Sequence, residues 1–134
     1  MAPEQALGNA VVDGRADIYA TGCVAYWLLT GQLVFQADTP MAMIVQHAQT
    51  PPTPPSSRTE LPIPPALDRI VMACLAKDPA NRPQSARELS RLLAEVDGGA
   101  AWTHERVRAW WIEHRPTQPA AGGGRQSGTG DGRK

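Results

Sequence analysis

The sequence predicts an all-α protein, and three observations carry that expectation. Apolar residues recur at helical spacing in four separate segments, each bounded by residue types that start or stop helices. Prolines crowd the stretch from Thr50 to Pro65 (Pro51, Pro52, Pro54, Pro55, Pro62, Pro64 and Pro65), which is too many for a helix or a central strand. From Pro116 to Lys134 the composition turns to Gly, Ser and Pro, with too little apolar surface to order itself, so a disordered tail is expected.

Taken in order, residues 1–16 are turn-rich, with Pro3, Gly8, Asn9 and Gly14, and read as irregular. A first helix is expected from Asp17 to Leu29, with Asp17 as its N-cap. Thr30-Gly31-Gln32 reads as its stop, Gly31 taking the C′ position. Pro40 opens a second helix, where its missing N–H costs nothing, and Met41, Ile44, Val45 and Ala48 give that helix an apolar face. Within the proline stretch, Pro52-Thr53-Pro54-Pro55 fits a P-x-x-P ligand pattern, although a stiff connection between helices is the better reading.

Ala66–Ala76 forms the third helix, with Leu67, Ile70, Val71, Cys74 and Leu75 inward and Lys77 suited to its C-terminal dipole. The fourth begins at a capping box, Ser85-Ala86-Arg87-Glu88, carries Leu89, Leu92, Leu93 and Val96, and ends at Gly98-Gly99. A short amphipathic helix follows. Thr103 caps it, Trp102 staples to Val107, and Trp110 and Trp111 extend the apolar side, while Glu105, Arg106, Arg108, Glu113 and Arg115 face out. The organisation expected is therefore a folded region over 1–96, a short helical extension over 97–115 and a disordered tail over 116–134.

Composition excludes several functions. Lys+Arg and Asp+Glu stand at 13 each, so no net field attracts nucleic acid or an acidic membrane face. The arginines beside Trp102, Trp110 and Trp111 are interleaved with glutamates, which leaves no basic stacking face for nucleic acid. Cys23 and Cys74 sit among apolar neighbours, as buried free thiols do. His47, His104 and His114 lack partners at metal-ligand spacing, and their placement reads as chance. No Ser or Cys lies on a nucleophile elbow.

No basic n-region leads an apolar stretch at the N-terminus, so a cytoplasmic setting is expected. Ile18–Ala37 carries no charge, which raises a membrane span as an alternative. The helical part is too short for that, and Thr21, Thr30, Gln32 and two glycines dilute it. A helix apolar on all sides instead belongs in the middle of a larger protein.

Four motifs add a resemblance. Ala2-Pro3-Glu4 matches the tripeptide that closes the activation segment of protein kinases. Asp17-Ile18-Tyr19-Ala20-Thr21-Gly22 and Leu29-Thr30-Gly31 are similar to the start and end of the central helix of the large lobe, and Lys77-Asp78-Pro79-Ala80-Asn81-Arg82-Pro83 to the last kinase motif. In order and spacing, residues 1 to about 96 resemble the C-terminal part of a bacterial Hanks-type serine/threonine protein kinase domain, a partial large lobe.

That resemblance implies a buried ion pair between Glu4 and Arg82. It also implies that Asp17 anchors the backbone of a catalytic loop, and that Pro3 and Gly22 belong to the same structural motif. It implies a transferase that uses ATP and Mg²⁺ to phosphorylate serine or threonine of protein substrates. Trp27 stands where many relatives have glutamate and Val34 where proline commonly precedes Phe35, departures that concern packing and partner choice.

The chain contains no G-x-G-x-x-G, no His-Arg-Asp and no Asp-Phe-Gly, so no catalytic, ATP-binding or metal-binding residue is assignable in it. The expectation is a truncated kinase beginning at an internal Met and inactive alone. The alternative is a non-catalytic helical module docking to another kinase or a regulatory protein. Either form would expose apolar surface of its central helix, so the isolated chain is expected to be oligomeric, through self-association of that surface, or molten.

Overall fold

The computed structural model describes residues 1–9, 11–96 and 104–114. Those residues form six α-helices and no strand: α1 (Pro3–Ala6), α2 (Arg15–Thr30), α3 (Pro40–Gln49), α4 (Pro65–Cys74), α5 (Ala86–Ala94) and α6 (His104–Glu113). The chain divides into two compact units, Met1–Ala101 and Trp102–Lys134. The expected tail over 116–134, the Thr103 cap, the Trp102 staple and the Gly98-Gly99 stop lie outside the described residues.

In the first unit, α2 is the axis. Ala16, Tyr19 and Tyr26 from α2 meet Ala2, Val34, Phe35, Val71 and Leu75 in one buried cluster, with Cys23, Met43 and Leu67 packed on its edge. A second cluster joins Ile18, Cys74 and Leu89, tying α2 to α4 and α5. Gly22 lies where α2 meets α4: a Cβ there would stand 2.7 Å from Cys74 Cβ and 3.2 Å from Leu75 Cδ2. Gly31 ends α2 at φ 68°, a left-handed conformation that glycine adopts without a steric penalty.

Several local expectations are corrected. The segment before α2 is not wholly irregular, because Pro3 opens a short helix whose preceding Ala2 N–H donates to Gln5 Oε1 at 2.9 Å. Asp17 is not an N-cap. The helix starts earlier, after Gly14, and Asp17 sits exposed in its first turn. On α3, Thr39 caps as its position suggests, accepting from the Ala42 N–H at 3.1 Å. The inward face, however, is Met43 and His47, while Met41 and Val45 are exposed.

The proline segment includes a 3₁₀ turn at Pro55–Arg58, with Pro55 fully buried and the Thr53 carbonyl accepting from Tyr26 Oη at 2.8 Å. Of the P-x-x-P pattern, Pro55 is thereby packed into the protein, Pro52 is half-buried, and Thr53 and Pro54 are exposed. The capping box of α5 is only half reciprocal. Ser85 Oγ accepts from the Glu88 N–H at 3.1 Å, but Glu88 Oε2 accepts from the Gln84 N–H at 2.9 Å.

Within the second unit, Trp110 and Trp111 meet edge to face at 5.1 Å, and Trp110 stacks on His114 at 4.4 Å. Among the described residues no helix is long and apolar enough to cross a membrane.

Candidate functional site

The most constrained polar site in the first unit surrounds Arg82. This residue is 3 % exposed, and Glu4, 78 positions earlier, is 5 % exposed. Arg82 Nη1 and Nη2 donate to Glu4 Oε1 and Oε2, each at 2.8 Å, in the two-bond geometry that a planar guanidinium makes with a carboxylate. Its remaining donors go to main-chain oxygens: Nη1 to Arg15 at 2.9 Å, Nη2 to Lys77 at 3.2 Å and Nε to Ala76 at 2.8 Å. All five donors of the guanidinium are thus engaged. The Tyr19 ring lies 4.9 Å from Arg82 Cζ, adding a cation–π contact. The arginine beside it holds the Glu4 carboxyl below its ordinary value of 4.5, against the opposing push of burial.

Local structure explains why the partners meet. Pro3 at the first position of α1 fixes φ and places Glu4 in the first turn, where its charge also suits the helix dipole. Arg82 follows a 3₁₀ turn at Pro79–Asn81, whose cap is the Asp78 carboxylate accepting from the Ala80 N–H at 2.9 Å. Arg15 then links the same region to the residues just before α5, donating through Nη1 to Gln84 Oε1 at 3.1 Å while paired with exposed Asp13 at 2.7 Å.

The structure therefore brings Pro3, Glu4 and Arg82 together and keeps two other sequence-selected residues apart from them. Gly22 serves the α2–α4 packing. The Asp17 carboxylate accepts no hydrogen bond from any described residue, and the residue is exposed.

Three participants escaped sequence reasoning. Tyr19, fully buried, holds His47 Nδ1 at 2.8 Å from its Oη, and burial pushes its hydroxyl pKa up. His47 packs edge-on against Phe35 at 5.0 Å, and burial lowers its pKa from 6.5 to about 4. His47 thus has a packing and hydrogen-bonding role that the sequence did not indicate. Lys77, assigned to the dipole of α4, instead caps α3, donating to the Gln46 and His47 carbonyls at 3.3 and 2.8 Å. It also lies 4.6 Å from the Phe35 ring centroid. Only the i, i+4 relation of Met43 and His47 hinted at this inward face.

No protein-family profile matches the chain. Curated relatives do. The chain is 45 % identical over 101 residues to serine/threonine-protein kinase PknB of Mycolicibacterium smegmatis, covering 75 % of this chain and 16 % of that protein. It is 43 % identical over 99 residues to PknB of Mycobacterium tuberculosis, covering 74 % and 16 %. It is 38 % identical over 122 residues to the probable PknB of Corynebacterium glutamicum, covering 89 % and 19 %. The chain thus carries a partial Hanks-type serine/threonine kinase region, and its match spans about a sixth of the first two relatives' length.

Proposed function

We propose that residues 1–96 are the end of the large lobe of a serine/threonine protein kinase, and that they position chemistry performed by other parts of the protein. The whole protein then transfers the γ-phosphate of ATP to serine or threonine of protein substrates. The single observation that carries this reading is the buried Glu4–Arg82 pair, with both guanidinium nitrogens on both carboxylate oxygens. It ties α1, the end of a kinase activation segment on this reading, to the loop between α4 and α5.

The Asp17 side chain, exposed at the start of α2 and without a partner among the described residues, is free to accept hydrogen bonds from a catalytic loop. Such support orients catalytic groups without touching substrate. Among the described residues, none forms a site that fits ATP or Mg²⁺. No group of three or more His, Cys, Asp or Glu among the described residues is disposed to hold a metal, and no phosphate-cradling glycine motif occurs in the sequence. No step of the transfer is assigned to them.

The test combines two assays. The native protein recovered from its source cells is expected to have an intact mass above 14.4 kDa and to transfer labelled phosphate from ATP to a generic protein substrate. The 134-residue chain alone is expected to transfer none. A native mass of 14.4 kDa overturns the reading in favour of a non-catalytic interaction module, and transfer by the chain alone overturns the division of labour.

A further inference from the structure

We infer that His47 is a positioning residue for the Arg82–Glu4 pair, coupling the last turn of α3 to α1 by two routes that converge on one guanidinium. The first route runs through side chains: His47 Nδ1 to Tyr19 Oη at 2.8 Å, then the Tyr19 ring against Arg82 Cζ at 4.9 Å. The second alternates with the main chain. Lys77 Nζ donates to the His47 carbonyl at 2.8 Å, and the Lys77 carbonyl accepts from Arg82 Nη2 at 3.2 Å. Phe35 closes the corner, its ring edge-on to His47 at 5.0 Å and 4.6 Å from Lys77 Nζ.

The routes matter because Arg82 has no spare donor. Five N–H groups in one rigid plane hold five acceptors, so a shift of the Tyr19 ring or of the Lys77 main chain is passed to its other bonds, the two to Glu4 among them. His47 is gripped at both its ring and its carbonyl, so a rotation of the last turn of α3 moves both routes together. The inference rests on this chain's own geometry and stands apart from the phosphoryl-transfer reading.

The test uses the 134-residue chain, as wild type and as His47→Phe, Tyr19→Phe, His47→Gln and Leu89→Ala, the last in the buried cluster with Ile18 and Cys74 as a control for global destabilisation. Hydrogen exchange is followed at the Ala6 and Leu7 amides, which bond to the Ala2 and Pro3 carbonyls within α1. His47→Phe and Tyr19→Phe should each speed that exchange by about threefold or more beyond what their global stability accounts for, and Leu89→Ala should not. His47→Gln, which keeps a polar partner for Tyr19, should recover part of the protection. In a double-mutant cycle, Tyr19→Phe and Glu4→Gln should be non-additive by about threefold or more in the unfolding constant.

Exchange at α1 that merely tracks global stability, with an additive cycle, overturns the inference. If His47→Phe does not fold, Tyr19→Phe decides alone, because it removes a single oxygen and leaves the ring on Arg82.

Discussion

At the scale of single residues, Arg82 is where charge, burial and geometry are most tightly bound together. Removing one member of a buried ion pair strands the other, so Glu4→Gln and Arg82→Met should each lower stability by about 3–5 kcal/mol in urea denaturation. The double substitution Glu4→Leu/Arg82→Met should cost less than the sum, since neither charge is left alone. Acid should act in two stages. Burial depresses the His47 pKa from 6.5 to about 4, so between those values the unfolded chain binds more protons than the folded one. Stability is full above pH 6.5 and falls as pH drops through that window; His47→Phe should flatten this part of a pH–stability curve. The Glu4 pKa is also depressed, so its contribution is present above its ordinary 4.5 and is lost as pH falls further, through the lower folded value. The ion pair was legible from two motifs far apart in the chain. His47 was not, because nothing local distinguishes a histidine that meets a buried tyrosine from one facing water.

At the scale of elements, the α2–α4 crossing is set by Gly22. Any side chain there overlaps Cys74, so Gly22→Ala should destabilise by about 1–3 kcal/mol through overpacking. Gly14 has a helical φ of −59° and open space where a Cβ would stand, with no neighbour within 4 Å. It should behave oppositely: Gly14→Ala should gain about 0.4–1 kcal/mol. Thermal melts of the two variants check both signs. Helix existence was readable from periodicity and caps; helix orientation was harder. Met41, Ile44, Val45 and Ala48 make as good a stripe as the one actually used, and α3 turns Met43 and His47 inward because Phe35, Tyr19 and Lys77 receive them there. Asp17 was misread as a cap because α2 begins before its uncharged apolar run, after Gly14, where Asp13 Oδ1 accepts from the Arg15 N–H at 2.9 Å.

At the scale of the whole molecule, α2 is covered on one side only. Tyr19 and Tyr26 are fully buried, while Trp27 is 52 % and Leu28 71 % exposed, with Val24 on the same helix also open to solvent. Contiguous apolar side chains of this kind favour association. Sedimentation velocity over a range of concentrations should show the 134-residue chain as oligomers, and Trp27→Gln/Leu28→Ser should shift it toward monomer. A monodisperse monomer at high concentration would count against that expectation. The region matched here is 16 % of the Mycolicibacterium smegmatis relative.

The sequence by itself determined the helical class, the Gly31 stop of α2 and the kinase resemblance, because periodicity, caps and motif spacing are local or ordered along the chain. Only the tertiary structure decided which face of α3 points inward, that Lys77 caps α3 rather than α4, and that His47 and Tyr19 stand behind the ion pair. Those outcomes depend on which groups meet across 28 to 78 positions of sequence, and burial sets their energies only once the neighbours are in place.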